Sequence, residues 1–181
     1  FRPDEGFRNI FQQELPVISD NYEIVNSFES TRYQKILEMV TKVSFYGKAV
    51  NSLDNEDVRI SKRLFMPSSK LRGFESGKIG PLENNAYIGG NYISALNFST
   101  TLPKFLPSFQ NMDFSLFVDA ANIWGVDYDS NIDNSKIRSS TGVAMDLLTP
   151  IGPLNFSLSK PITKSSTDKT ESFRFNLGTT F

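Results

Sequence analysis

Arg138-Ser139-Ser140-Thr141-Gly142-Val143-Ala144-Met145-Asp146-Leu147-Leu148-Thr149-Pro150-Ile151-Gly152-Pro153-Leu154-Asn155-Phe156-Ser157-Leu158-Ser159 is the stretch that decides the fold. In its first part Thr141, Val143, Met145 and Leu147 fall on one face, and Ser140, Gly142, Ala144 and Asp146 on the other. After the prolines, Leu154, Phe156 and Leu158 alternate with Asn155, Ser157 and Ser159. A period of two is the signature of a strand with two unlike faces. Pro150 and Pro153 bracket Ile151-Gly152 and make a rigid, short connection. The stretch therefore reads as an antiparallel hairpin.

The same pattern recurs outward from it. Phe114, Leu116, Val118 and Ala120 alternate with Ser115, Phe117, Asp119 and Ala121; Phe173, Phe175, Leu177 and Phe181 alternate with Arg174, Asn176, Gly178 and Thr180. Helical periodicity is scarce. Eight strands are expected, at 7–15, 21–34, 37–50, 86–100, 112–125, 136–149, 153–161 and 171–181. Several exceed 10 residues, whereas strands of water-soluble proteins usually run to about 5–6. A tilted membrane-crossing strand needs about 9–11. Short turns, at 16–20, Gln34-Lys35-Ile36, 103–109 and 150–152, are separated by long polar loops at 51–85, 126–135 and 161–170. Short turns on one side and long loops on the other is the pattern of an outer-membrane barrel. The expected fold is an all-β, antiparallel transmembrane barrel. A water-soluble β-sandwich has the same periodicity, with its apolar faces turned into a shared core.

Composition narrows the function classes. With 19 basic and 20 acidic residues the 181-residue chain has no cationic excess for nucleic acid, so no such partner is expected. It has no Cys, so disulfides and thiolate metal sites are excluded, and no His, the commonest general base and metal ligand. No paired carboxylate, Lys or Tyr arrangement points to catalysis; no enzyme activity, cofactor or metal is expected. No run of about 18 apolar residues suggests a membrane helix. A mean hydropathy of −0.29 suits a barrel as well as a soluble domain, because only alternate residues face lipid. Sixteen Phe residues favour a surface that meets lipid. The chain opens on Phe1 without a charged and then apolar leader, so it is expected to be part of a longer protein.

Three further segments carry a resemblance. Arg72-Gly73-Phe74 stands in the long loop, followed by Ile79-Gly80-Pro81; Phe117-Val118-Asp119-Ala120-Ala121-Asn122-Ile123-Trp124 lies in a strand; and Thr149-Pro150-Ile151-Gly152-Pro153-Leu154 forms the tight turn. Together with the aromatic-ended strand Glu171–Phe181, which resembles the C-terminal β-signal of outer-membrane proteins, these resemble the Omp85 superfamily over essentially the whole chain. The opening Arg2-Pro3-Asp4-Glu5-Gly6 resembles the family's mid-barrel turn. Bland alternatives stand beside each: a solvated loop with a stray Arg, an ordinary amphipathic strand, any Pro-Gly hairpin, and for Trp124 a loop-edge core aromatic rather than a member of an interfacial girdle.

The resemblance implies that residues 1–181 are the C-terminal half of the barrel, the last eight strands of sixteen, with a long loop at about 51–85 turned into the lumen. It implies that Arg72, Gly73 and Phe74 form a brace with Asp119, since a charge drawn into a partly dry lumen needs a counter-charge. Asn97 stands where relatives often carry Glu, which removes a second carboxylate and leaves Asp119 as the main partner; Ala121 replaces the usual Gly. Phe173, Phe175, Leu177, Gly178 and Phe181 would form the β-signal and one side of a lateral seam. The implied function is insertion of β-barrel proteins into the bacterial outer membrane without nucleotide or metal. Its implied partners are unfolded barrel clients, outer-membrane lipid and other assembly subunits, the last through N-terminal POTRA repeats outside these residues. A translocation pore of the same superfamily, including the two-partner secretion type, would use the same half-barrel. A passive porin would not need the Arg-Gly-Phe loop.

Overall fold

The computed structural model describes residues 3–16, 22–54, 56–103, 111–132, 135–150 and 152–177. Its strands are β1 (Gly6–Glu14), β2 (Glu23–Ile36), β3 (Met39–Ser52), β4 (Leu82–Glu83), β5 (Ala86–Tyr87), β6 (Tyr92–Thr101), β7 (Met112–Trp124), β8 (Arg138–Thr149), β9 (Gly152–Thr163) and β10 (Phe173–Leu177). Eight of them form one antiparallel sheet in the order β1-β2-β3-β6-β7-β8-β9-β10. Each long strand pairs with its neighbour in the chain. Only the minute β4–β5 hairpin stands apart. Among the described residues there is no α-helix, and β1 and β10 are the sheet's two edges.

The two faces differ as the alternation predicts. Phe114, Leu116, Val118, Val143, Leu158, Phe173, Phe175 and Leu177 are exposed on one face. Met145, Leu147 and Phe156, expected beside them in the open, are only half-exposed. The Phe156 ring is flanked by those of Phe173 and Phe175, with centroids at 6.5 and 5.0 Å. The apolar face continues through Phe98, Leu96, Phe45, Phe28, Phe11 and Phe7. Among the described residues no second layer covers it. A sandwich would bury these side chains; a surface this wide and apolar requires an apolar surrounding. The opposite, inner face is mixed, with Thr31, Ser44, Ser115, Asp119, Ser140 and Ser157 buried on it beside apolar Val50, Ile93, Ala95, Ala121 and Ile123.

Several boundaries differ from the sequence reading. β2 runs on to Ile36, and the turn is Leu37-Glu38, with Leu37 at φ 57°. The strand expected from residue 86 begins at Tyr92. Before it, Asn84 and Asn85, both at positive φ, form the two-residue turn of the β4–β5 hairpin. β9 extends to Thr163, shortening the following loop, and β10 begins at Phe173 rather than at residue 171, with 178–181 outside the described residues. Gly178 and Phe181 lie outside the described residues, as do the centres of the turns expected at 16–20 and 103–109.

What covers the inner face is the connection between β3 and β6. Leu64, Met66, Leu71, Phe74 and Ile79 from this loop pack on Val50, Ile93, Ala95, Ala121 and Ile123 of the sheet. The protein's core is thus a loop pressed on a sheet. Burial of a side chain such as Phe74 contributes about 1.5–3 kcal/mol.

Candidate functional site

The loop's Arg72 reaches Asp119 on β7. Its Nε donates to Asp119 Oδ2 at 2.7 Å and its Nη2 to Oδ1 at 2.8 Å; the Arg72 backbone N–H also donates to Oδ2 at 3.1 Å. Asp119 is fully buried. Two parallel bonds between a guanidinium and a carboxylate combine charge with geometry. Beneath them the guanidinium carbon lies 3.5 Å from the centroid of the Phe117 ring. The ring in turn faces Gly142, its cross-strand partner on β8. A Cβ at Gly142 would stand 2.8 Å from Phe117 Cζ and 2.0 Å from the Leu158 carbonyl oxygen, so the strand has room for glycine alone.

Asn97 sits opposite Asp119 in the β6–β7 register. Its Nδ2 donates to Asp119 Oδ1 and to the Lys70 carbonyl, both at 2.8 Å. Where a glutamate would add a charge, the amide gives Asp119 another donor.

The loop's backbone is held from the wall in a regular way. The Lys70 carbonyl accepts from Asn97, and the Arg72 carbonyl from Ser140 Oγ at 2.5 Å. The Ser68 carbonyl accepts from Arg174 Nη1 at 2.5 Å, and the Phe74 carbonyl from Arg174 Nη2. Every second carbonyl from 68 to 74 is thereby captured by a side chain of the sheet. Gly73, at φ 86°, brings the backbone against Ser140 and Ser159, where a Cβ would meet both at 3.2 Å. Lys70 adds an ion pair to Glu29 of β2 at 2.9 Å.

The loop after β9 joins the same assembly. Glu75 N–H donates to the Lys169 carbonyl and Lys169 N–H to the Lys78 carbonyl, both at 3.0 Å, while Glu171 N–H donates to the Gly73 carbonyl at 3.2 Å. A second buried ion pair secures it: Arg138 Nε and Nη2 donate to Asp168 at 3.0 and 3.2 Å, with both side chains fully buried. Tyr87, in the small β4–β5 hairpin, and Tyr128, on the loop after β7, both have raised pKa values. Burial is the larger cause for Tyr87; for Tyr128 it is the hydrogen bond its hydroxyl donates to Glu83 at 2.7 Å.

The structure thus brings together Arg72, Gly73, Phe74, Asn97 and Asp119. It places Phe173, Phe175 and Leu177 apart from them, exposed on the outer face of the edge strand β10. Trp124 stands half-buried at the loop end of β7, its ring 5.8 Å from that of Tyr92. Sequence reasoning missed the Arg138–Asp168 pair and the role of Arg174. Both arginines lie on the polar register of their strands, and a buried cation needs a partner. That signal was available, though the partners' identities were not. Among the described residues no cluster of His, Cys, Asp and Glu could hold a metal ion.

An uncovered apolar outer face, a mixed inner face and a long loop seated inside define a membrane-barrel type of sheet. The chain belongs to the Omp85 superfamily, whose domain matches residues 1–181. It is 32% identical over 141 residues to the outer membrane protein assembly factor BamA of Neisseria meningitidis serogroup B, a match covering 61% of this chain and 17% of that protein. It is 23% identical over 188 residues to BamA of Neorickettsia risticii, covering the whole chain and 25% of the relative. The crystal structure of BamA from Haemophilus ducreyi lacking POTRA domains 1–3 superposes with a TM-score of 0.84 at 26% identity, over 96% of this chain and 38% of that one. The chain therefore spans a quarter or less of the curated relatives' length.

Proposed function

We propose that this chain is the C-terminal half of a sixteen-strand outer-membrane barrel that inserts other β-barrel proteins into the bacterial outer membrane through a lateral seam. The observation that carries the reading is the wide apolar outer face over an inner face filled by the loop between β3 and β6, whose Arg72 is bound to Asp119 of the wall; in this reading β10 is the seam strand, open to a new partner when the barrel parts there. Edge strands invite pairing with another chain, and here that liability becomes the working surface. An incoming strand adds to the exposed edge by main-chain hydrogen bonds. The similarity to two BamA assembly factors supports the assignment to assembly.

In this reading the apolar face meets lipid, and the Arg72–Asp119 pair, with Gly73, Phe74 and Asn97, braces the lumen wall. Phe173, Phe175 and Leu177, continued by Gly178 and Phe181, form the β-signal and one side of the seam. The other side is the first strand of the barrel, outside this chain. Clients, outer-membrane lipid and further assembly subunits are its partners, the subunits reached through N-terminal POTRA repeats. The mechanism needs strand exchange and no chemical step, so it requires no cofactor or catalytic residue.

The test is a disulfide engineered in the full-length protein between strand 171–181 and the first barrel strand. No native Cys in this chain competes with it. Under oxidising conditions client barrel levels in the outer membrane should fall, and reductant should restore them. Normal client assembly in the locked protein would remove the gate and favour a translocation pore.

A further inference from the structure

Arg174 belongs to the terminal strand, yet three of its contacts leave that strand's ladder. Its Nη1 donates to the Ser68 carbonyl at 2.5 Å, its Nη2 to the Phe74 carbonyl, and its Nε to Glu171. The side chain is 10% exposed, so these bonds are made largely out of water. Ser68 and Phe74 lie on either side of Arg72-Gly73, and one planar guanidinium spans both carbonyls. A lysine could not: its ammonium is a single point with no fork. Among the described residues β10 pairs with β9 from Phe173 to Leu177, and its side chains directed to the loop's side of the sheet there are Arg174 and Asn176.

We infer that Arg174 is a positioning residue that couples the seating of the 68–74 loop segment to the pairing of the terminal strand, so that the two form one equilibrium. If β10 leaves β9, Arg174 leaves with it, and the loop loses two of its four captured carbonyls. If the loop lifts, the buried guanidinium loses its two carbonyl acceptors and keeps only Glu171, and β10 loses the anchor it has on the loop. Two elements joined by a shared contact must bias each other reciprocally. The inference rests on the proposed seam for its purpose: loop position would set how readily the strand opens.

Hydrogen–deuterium exchange on the full-length protein in lipid nanodiscs reads this coupling without any client. It therefore stands apart from the disulfide lock, which tests the seam. The probes are amides 72–75 of the loop and 173–177 of β10, with the β2–β3 hairpin as a reference for global unfolding. Arg174→Gln should accelerate exchange at both probes by about tenfold, as loss of charged hydrogen bonds predicts, with the hairpin unchanged. Arg174→Lys should recover only a small part of this. Ser140→Ala, which frees the Arg72 carbonyl, should loosen the loop and, with Arg174 present, β10 as well. In the Arg174→Gln background Ser140→Ala should leave β10 no looser than Arg174→Gln alone.

A merely local role would loosen β10 in Arg174→Gln and leave 72–75 unchanged, which would overturn the proposal. So would an equal effect of Ser140→Ala on β10 in both backgrounds, or complete rescue by lysine. Should Arg174→Gln unfold the hairpin too, Ser140→Ala in the otherwise native protein decides: β10 must loosen together with the loop.

Discussion

Asn97 Nδ2 and Asp119 Oδ1 are 2.8 Å apart, directly opposite each other on β6 and β7, so the carboxylate that holds Arg72 is itself held by a neutral amide. Asp119 accepts four hydrogen bonds in all, two from the Arg72 side chain, one from its backbone and one from Asn97. Asn97→Asp removes a donor and sets a second carboxylate against Asp119. The expected loss is about 1–3 kcal/mol of loop seating. Limited proteolysis of the 53–91 loop measures it.

Removing the cation strands the buried anion. Arg72→Gln should destabilise the seated loop by roughly 3–5 kcal/mol, the usual range for breaking a buried pair. Arg72→Lys keeps the charge but loses the fork and the planar stack on Phe117, and should cost about 1–3 kcal/mol. Denaturant midpoints and the rate of loop cleavage should rank native, Lys and Gln in that order.

Gly142 faces a different demand. A single methyl there collides with the Leu158 backbone and the Phe117 ring. Gly142→Ala is expected to destabilise the β8–β9 pair by at least about 2 kcal/mol, in the range of overpacked sites. Thermal unfolding in detergent should show the drop, and Gly47→Ala, whose nearest neighbour is an exposed Phe45 ring at 3.5 Å, should not.

For Arg138 and Asp168 the expectation is non-additive. Arg138→Met alone and Asp168→Leu alone should each cost about 3–5 kcal/mol, because each leaves a buried charge unmatched. The double variant should be markedly more stable than the sum of the two losses implies. A double-mutant cycle on unfolding free energy checks this.

What could be read from the sequence followed from local periodicity. Alternation in 112–124, 138–149 and 152–158 needs only neighbouring residues, and the sheet formed on those registers. The Arg72–Asp119 contact was legible because both residues sit in recognisable motifs. The Leu37-Glu38 turn was not, since leucine at positive φ carries none of the usual Gly or Asn signal. Asn84-Asn85 did carry that signal, yet both were read as the end of the long loop 51–85 rather than as the turn of a hairpin. Arg174 was placed on the polar face correctly, but its acceptors are backbone carbonyls about a hundred residues away. No side-chain pattern in the loop announces them.

That last point has a consequence for variation. The wall grips the loop at oxygens common to every amino acid, through Asn97, Ser140 and Arg174. Ser69, exposed between the anchored carbonyls of Ser68 and Lys70, can therefore be exchanged with little effect on the anchorage. The constraint falls on the grasping residues and, within the grasped segment, on Leu71, Arg72, Gly73 and Phe74, while the exposed Ser69 is left free of it. A substitution at such a position would leave the loop its footing, because the attachment is to the shape of the chain rather than to its spelling.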